Sequence, residues 1–188
     1  GLIAFTEFTS PDPEDPNNTE LTTYKAAPFH REIAKALEAV ERGEIKQLIF
    51  CMPPRHGKTR LATESLAAWF SGRHPDQDIA VAMATDILAT DSGANVRNML
   101  TAPQFKQVFP HYRLVRGGSA KDNIQTDKRG RIVFVGKGGQ LNGRGAHLLL
   151  VDDLYNSEEA ASPTVRDKVW TWFTDVALRR RMGNKLVI

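Results

Sequence analysis

The stretch from Gln47 to Leu66 limits the possible folds more than any other. Gln47-Leu48-Ile49-Phe50 reads as a strand. Cys51-Met52-Pro53-Pro54-Arg55-His56-Gly57-Lys58-Thr59 reads as a tight loop, and Arg60-Leu61-Ala62-Thr63-Glu64-Ser65-Leu66 as the start of a helix. Strand, loop, Gly-Lys-Thr and helix is the layout of a phosphate-binding P-loop. Free backbone N–H groups at a helix N-terminus, with the helix dipole behind them, make an anion site. Lys58 brings a point charge to the β- and γ-phosphates, and the Thr59 hydroxyl can ligate Mg²⁺. Gly57 lets the backbone approach without a Cβ in the way. There is one departure: the position five residues before Gly57, where the full motif has Gly, holds Met52. Gly-Lys-Thr alone also fits an ordinary strand-turn-helix, so a second motif has to decide.

That second motif is His147-Leu148-Leu149-Leu150-Val151-Asp152-Asp153. An apolar run ending in an acid predicts a buried parallel strand with a carboxylate at its end. In open α/β sheets ligands sit beyond the carboxyl ends of the strands. Asp152 should therefore emerge beside the loop, able to hold Mg²⁺. Asp153, the next group out, could orient or deprotonate an attacking water. The simpler reading is a strand followed by an Asx turn. The order and spacing of the two motifs favour a phosphate-binding site with Mg²⁺ over that simpler reading.

The 188 residues fit one domain with a real core. Apolar content of 41% and charged content of 25% are those of an ordinary globular chain. No run approaches the ~18 apolar residues of a membrane span, and the N-terminus lacks the basic-then-apolar order of a signal peptide. A single cysteine, Cys51, excludes an internal disulfide; at the end of a predicted strand it reads as a core residue. Net charge is only +3, compatible with nucleic-acid contact without requiring it. Arg179-Arg180-Arg181 reads most simply as favourable charge closing a helix.

Residues 1–23 are rich in Pro, Asp and Asn and predict an extended N-terminal arm or linker, leaving 24–188 as the folded domain. Helices are expected over Pro28–Val40, Arg60–Phe70, Ile87–Leu100, Pro103–Val108 and Ser162–Arg181. In the last, Val165, Val169, Trp172 and Val176 share a face. Strands are expected at Gln47–Cys51, Asp78–Ala84, Tyr112–Val115, Arg131–Val135, Leu148–Val151 and Lys185–Ile188. Strands alternating with helices imply an α/β domain of three layers: a central, mainly parallel sheet flanked by helices.

With these residues assembled, the chain resembles the ATPase domain of the large terminase subunit of tailed bacteriophages. The likeness covers about residues 24–188. It is carried by Phe29-His30-Arg31-Glu32-Ile33-Ala34, by Met52-Pro53-Pro54-Arg55-His56-Gly57-Lys58-Thr59, by Gly139-Gln140-Leu141-Asn142-Gly143-Arg144-Gly145-Ala146, and by Asp152-Asp153-Leu154 with Glu158-Glu159-Ala160. It accommodates Met52, because the family's loops are commonly deviant. The resemblance implies a P-loop NTPase domain of the ASCE type. It implies ATP hydrolysis driving double-stranded DNA into a procapsid, a homo-oligomeric ring (a pentamer when assembled), and partnership with the portal protein and the small terminase subunit. It places the protein in the host bacterial cytoplasm, transiently docked on the procapsid. It further implies a domain cut before the coupling segment and the C-terminal nuclease domain, so no nuclease activity is expected of these residues.

The resemblance also suggests roles. Pro54, Arg55, His56, Gly57, Lys58, Thr59 and Arg60 would bind nucleotide through the loop, with Phe29 and His30 towards the adenine. Thr59 and Asp152 would hold the metal, and Lys58 and Asp153 would act in catalysis. Arg55 would sense the γ-phosphate in cis, and Arg144, between two glycines, would reach a neighbouring subunit's nucleotide. Glu158 and Glu159 are alternatives to Asp153, although acids there equally suit a short helix's first turn. His30 equally well packs at a helix start, and Trp69, Trp170 and Trp172 read as packing residues. Two other functions fit parts of the pattern. One is a helicase-like nucleic-acid-dependent ATPase, against which Asp152-Asp153-Leu154-Tyr155 argues. The other is a nucleotide-binding scaffold without turnover.

Overall fold

The structure, a computed structural model, describes residues 1–188 except 17, 19, 20, 54, 116–119, 121 and 142–144. Among the described residues six strands form one sheet: β1 (Gln47–Leu48), β2 (Asp78–Met83), β3 (Asn123–Gln125), β4 (Arg131–Gly136), β5 (Ala146–Asp152) and β6 (Arg181–Val187). Their order is β1-β6-β5-β2-β4-β3. All neighbours pair parallel except β3, which runs antiparallel to β4 at one edge. The helices are α1 (Leu2–Phe8), α2 (Pro28–Arg42), α3 (Leu66–Arg73), α4 (Asp86–Thr101), α5 (Pro103–Val108), α6 (Ser157–Ala161) and α7 (Pro163–Trp172). A wider, π-helical segment, Thr59–Ser65, leads into α3, and another, Phe173–Ala177, follows α7.

The period-2 alternation of the strands builds two cores from one sheet. Ile79, Val81, Met83, Ile132, Phe134, Leu148 and Leu150 face one side, against α1 to α5. Ala80, Ala82, Leu149, Val151 and Leu186 face the other, against Val169, Phe173 and Ala177 of α7 and its continuation. This is the expected three-layer α/β architecture. The apolar stripe Val165–Val169–Trp172–Val176 lies on the second core as its helical spacing predicts.

The N-terminal segment departs from expectation. Leu2–Phe8 is a helix rather than an extended arm; Leu2, Ile3 and Phe5 are buried in the first core, and Phe5 meets Phe105 and Phe109 with centroids 6.0 Å apart. The amide of Leu2 donates to Glu38 Oε1 of α2 at 2.6 Å. The first strand is shorter than expected because it is a sheet edge, paired only with β6. Beyond Leu48 the chain keeps one ladder contact, Phe50 N–H to the Ile188 carbonyl at 3.1 Å, and Cys51 is exposed instead of buried. Tyr112–Val115 forms a single bridge, Leu114 with Thr126, in place of a strand. The helix expected to run to Arg181 continues beyond α7 as the π-helical Phe173–Ala177 and a 3-10 turn, Leu178–Arg180, so it falls one residue short: Arg181 opens β6.

Candidate functional site

Two chain segments meet at the carboxyl end of the sheet. β1 delivers the Cys51–Thr59 loop, β5 delivers Asp152 and Asp153, and β6 lies between them. The loop turns on two left-handed residues: Arg55 at φ 63° and Gly57 at φ 76°. The first is costly for a residue with a Cβ; the second is ordinary for glycine. Lys58 then begins the helical path.

The Lys58 ammonium reaches both carboxylates. It lies 3.1 Å from Asp152 Oδ1 and in direct contact with Asp153 Oδ2. Burial works against its charge, but the hydrogen bonds and charges of Asp153 and Asp152 outweigh burial and hold it above the ordinary lysine value. The Asp152 side chain is only 5% exposed. Its second oxygen, Oδ2, accepts from Thr63 Oγ1 at 3.0 Å. Asp153 is the opposite case: its side chain is 76% exposed, and its backbone is left-handed at φ 43°, a conformation that Asp tolerates. This turn at the end of β5 brings its carboxylate back onto Lys58.

A cavity of about 290 Å³ opens beside the pair. It is lined by Thr59, Asp152 and Asp153 together with Glu64, Asp91, Ser92 and Asn95. Thr59 thus shares a cavity with the buried carboxylate, as a shared metal ligand set requires. A second cavity of about 450 Å³, which Lys58, Asp152 and Asp153 also line, has largely apolar walls from Ile49, Phe50, Leu154, Val169, Trp170 and Phe173. Trp170, read from sequence as a packing residue, is 62% exposed there. Trp172 packs as expected and donates Nε1–H to the Gly139 carbonyl at 2.9 Å.

Other expected residues take different places. Arg60 turns away from the loop: its NH2 donates to the Thr9 carbonyl at 3.0 Å and to Ser10 Oγ at 2.8 Å, with Glu64 beside NH1 at 3.5 Å. Its partners are the end of α1 and its own helix. His30 is buried under the loop and bonds the His56 carbonyl at 2.7 Å. Phe29 is half exposed, 4.1 Å from the His30 ring and 6.1 Å from that of His56, centroid to centroid. Glu159 closes a capping box with Asn156, bonded at 2.8 and 3.1 Å, and contacts Lys137; Lys137 holds its carboxyl below the ordinary glutamate value. Pro54 and Arg144 lie outside the described residues.

Sequence reasoning missed Thr63 and the Glu64–Ser92–Asn95 cluster. In that cluster Glu64 Oε1 accepts from Asn95 Nδ2 at 2.8 Å and from Ser92 Oγ at 3.3 Å. The signal for Thr63 was present: a hydroxyl four residues after Thr59 falls on the same helical face. Among the described residues, no group of three or more His, Cys, Asp or Glu could by itself hold a metal, and no helix is long and apolar enough to cross a membrane.

No curated protein sequence matches the chain. The crystal structure of the HK97 bacteriophage large terminase is similar in fold: the TM-score is 0.58 at 15% identity, covering 100% of this chain and 36% of that one. The chain thus spans about a third of the length of the structure it matches. The model of the terminase large subunit, T4likevirus-type, N-terminal family matches residues 49–179, which hold both the loop and the acidic strand. The chain belongs to the terminase large subunit N-terminal family.

Proposed function

We propose that this domain binds and hydrolyses ATP with Mg²⁺ to drive double-stranded DNA into a procapsid. The observation that carries the proposal is the three-way contact of Lys58 with Asp152 and Asp153 at the carboxyl end of the sheet. An ammonium held between two carboxylates next to a Gly-Lys-Thr turn is a charge waiting for a stronger anion. The β- and γ-phosphates of ATP would draw Lys58 off both acids. That would leave Asp152 buried and still oriented by Thr63, and Asp153 exposed and free.

Mg²⁺ fits the donor set: it would sit with Thr59 and the buried Asp152 carboxylate and neutralise phosphate charge. Lys58 would stabilise the charge that develops on the transferred phosphoryl oxygens. Asp153, on the solvent side, would orient the attacking water and accept its proton. Arg55, at the exposed rim of the loop, would reach the γ-phosphate in cis. Arg144 would act in trans, from a neighbouring subunit of a ring assembled on the portal with the small subunit. Phe29 would face the base. ATP hydrolysis measured against protein concentration tests this reading. Turnover should rise steeply with concentration and vanish in Lys58→Ala and in Arg144→Ala. Mixing the two variants should restore part of it. Turnover that persists in Lys58→Ala would refute the assignment of the site.

A further inference from the structure

His30 joins two backbones. The Ala27 amide donates to its Nδ1 at 2.9 Å, and its Nε2 lies 2.7 Å from the His56 carbonyl oxygen. An Nδ1 that accepts carries no proton, so the hydrogen-bond pattern assigns the proton to Nε2, which donates to His56. The ring is 7% exposed, with Phe29 and Tyr24 on it at centroid distances of 4.1 and 5.5 Å. It also lies directly beneath the loop: a Cβ built on Gly57 would stand 3.5 Å from His30 Nε2.

The peptide plane between His56 and Gly57 gives this tether its consequence. In a trans peptide the carbonyl and the following N–H point in opposite directions. Holding the His56 carbonyl down on His30 therefore turns the Gly57 N–H away from the ring and towards the open side of the loop. Gly57, at φ 76° and without a Cβ, is where a peptide flip would otherwise be easiest. The geometry points to His30 as a positioning residue: it locks the His56–Gly57 peptide so that the Gly57 amide faces the bound phosphates. Its role is in the phosphate end of the site and not in reading the base. This inference rests on the nucleotide-binding reading of the loop.

The two ring nitrogens can be tested separately. Glutamine places an amide donor near the position of Nε2, and asparagine places an acceptor near that of Nδ1. So His30→Gln keeps the bond to the loop and loses the bond to Ala27, whereas His30→Asn does the reverse. Affinities of the full chain for Mg²⁺·ATP and for inorganic tripolyphosphate would be measured for wild type, His30→Ala, His30→Gln, His30→Asn and Lys58→Ala, with a thermal melt of each. His30→Ala and His30→Asn should weaken both ligands by on the order of tenfold, the scale of one charge-assisted hydrogen bond. His30→Gln should recover most of that loss, although it melts no higher than His30→Asn. Equal losses in His30→Gln and His30→Asn would overturn the inference, since a merely structural histidine behaves that way. A loss confined to ATP would also overturn it and assign His30 to the base. Wild type that binds neither ligand more tightly than Lys58→Ala would refute the nucleotide reading itself, and the inference with it.

Discussion

Asp152 has both oxygens occupied, one by Lys58 and one by Thr63, and it is the buried member of the site. Removing the Thr63 hydroxyl while keeping its shape leaves Oδ2 without its donor. Thr63→Val should cost about 1–3 kcal/mol in urea denaturation, the penalty of an unpaired buried polar atom, while Thr63→Ser should retain most of the stability. The exposed Asp153 offers no such effect, and Asp153→Asn should leave the melting curve nearly unchanged while lowering turnover. That Lys58 meets Asp152, and that Thr59 shares a cavity with it, was legible from where their motifs fall at the ends of the strands. Thr63 was harder to read because it acts through another residue. Arg60 looked like a loop ligand by proximity in sequence, but successive side chains of a helix point to different sides, and Arg60 reaches Thr9 and Ser10.

At the scale of elements, the clearest departure is α1. A seven-residue helix is too short to stand alone in water. It forms because Leu2, Ile3 and Phe5 close the first core, and nothing within residues 1–8 announces that partner. Leu2→Ala should therefore destabilise the whole domain by about 2–5 kcal/mol in chemical denaturation, as a core truncation does; an extended arm would give almost none. The strands were better read. Their apolar runs lie between covered faces, so burial and sequence pattern agree, except at the edge, where β1 is cut short and Cys51 comes to the surface. Asn156 caps α6 as its residue type suggests, and Asn156→Ala should cost about 1 kcal/mol in the same measurement.

Across the whole molecule, one buried acid ties together elements on the side of the sheet that carries α2 and α3. Glu41 Oε1 accepts from Arg73 Nε at 2.9 Å and bonds His74 Nε2 at 2.6 Å, while the Glu41 carbonyl accepts from Lys185 Nζ at 2.6 Å. Burial pushes its carboxyl up, but the hydrogen bonds from Arg73 and His74 outweigh burial and hold it below the ordinary glutamate value. A carboxyl depressed in the folded state contributes stability that is fully present above its unfolded value. That contribution is lost as pH falls through the folded value. Thermal melts from pH 7 down to pH 3 should show wild type losing stability below about pH 4.3, the ordinary glutamate value. Glu41→Gln should start lower and fall less. The central claim is that Lys58 leaves its two acids for the phosphates of ATP. Calorimetric titration of Mg²⁺·ATP into wild type and Lys58→Ala tests it most directly. The account predicts saturable binding by wild type that depends on Mg²⁺ and is lost in Lys58→Ala; equal binding by the two proteins would contradict it.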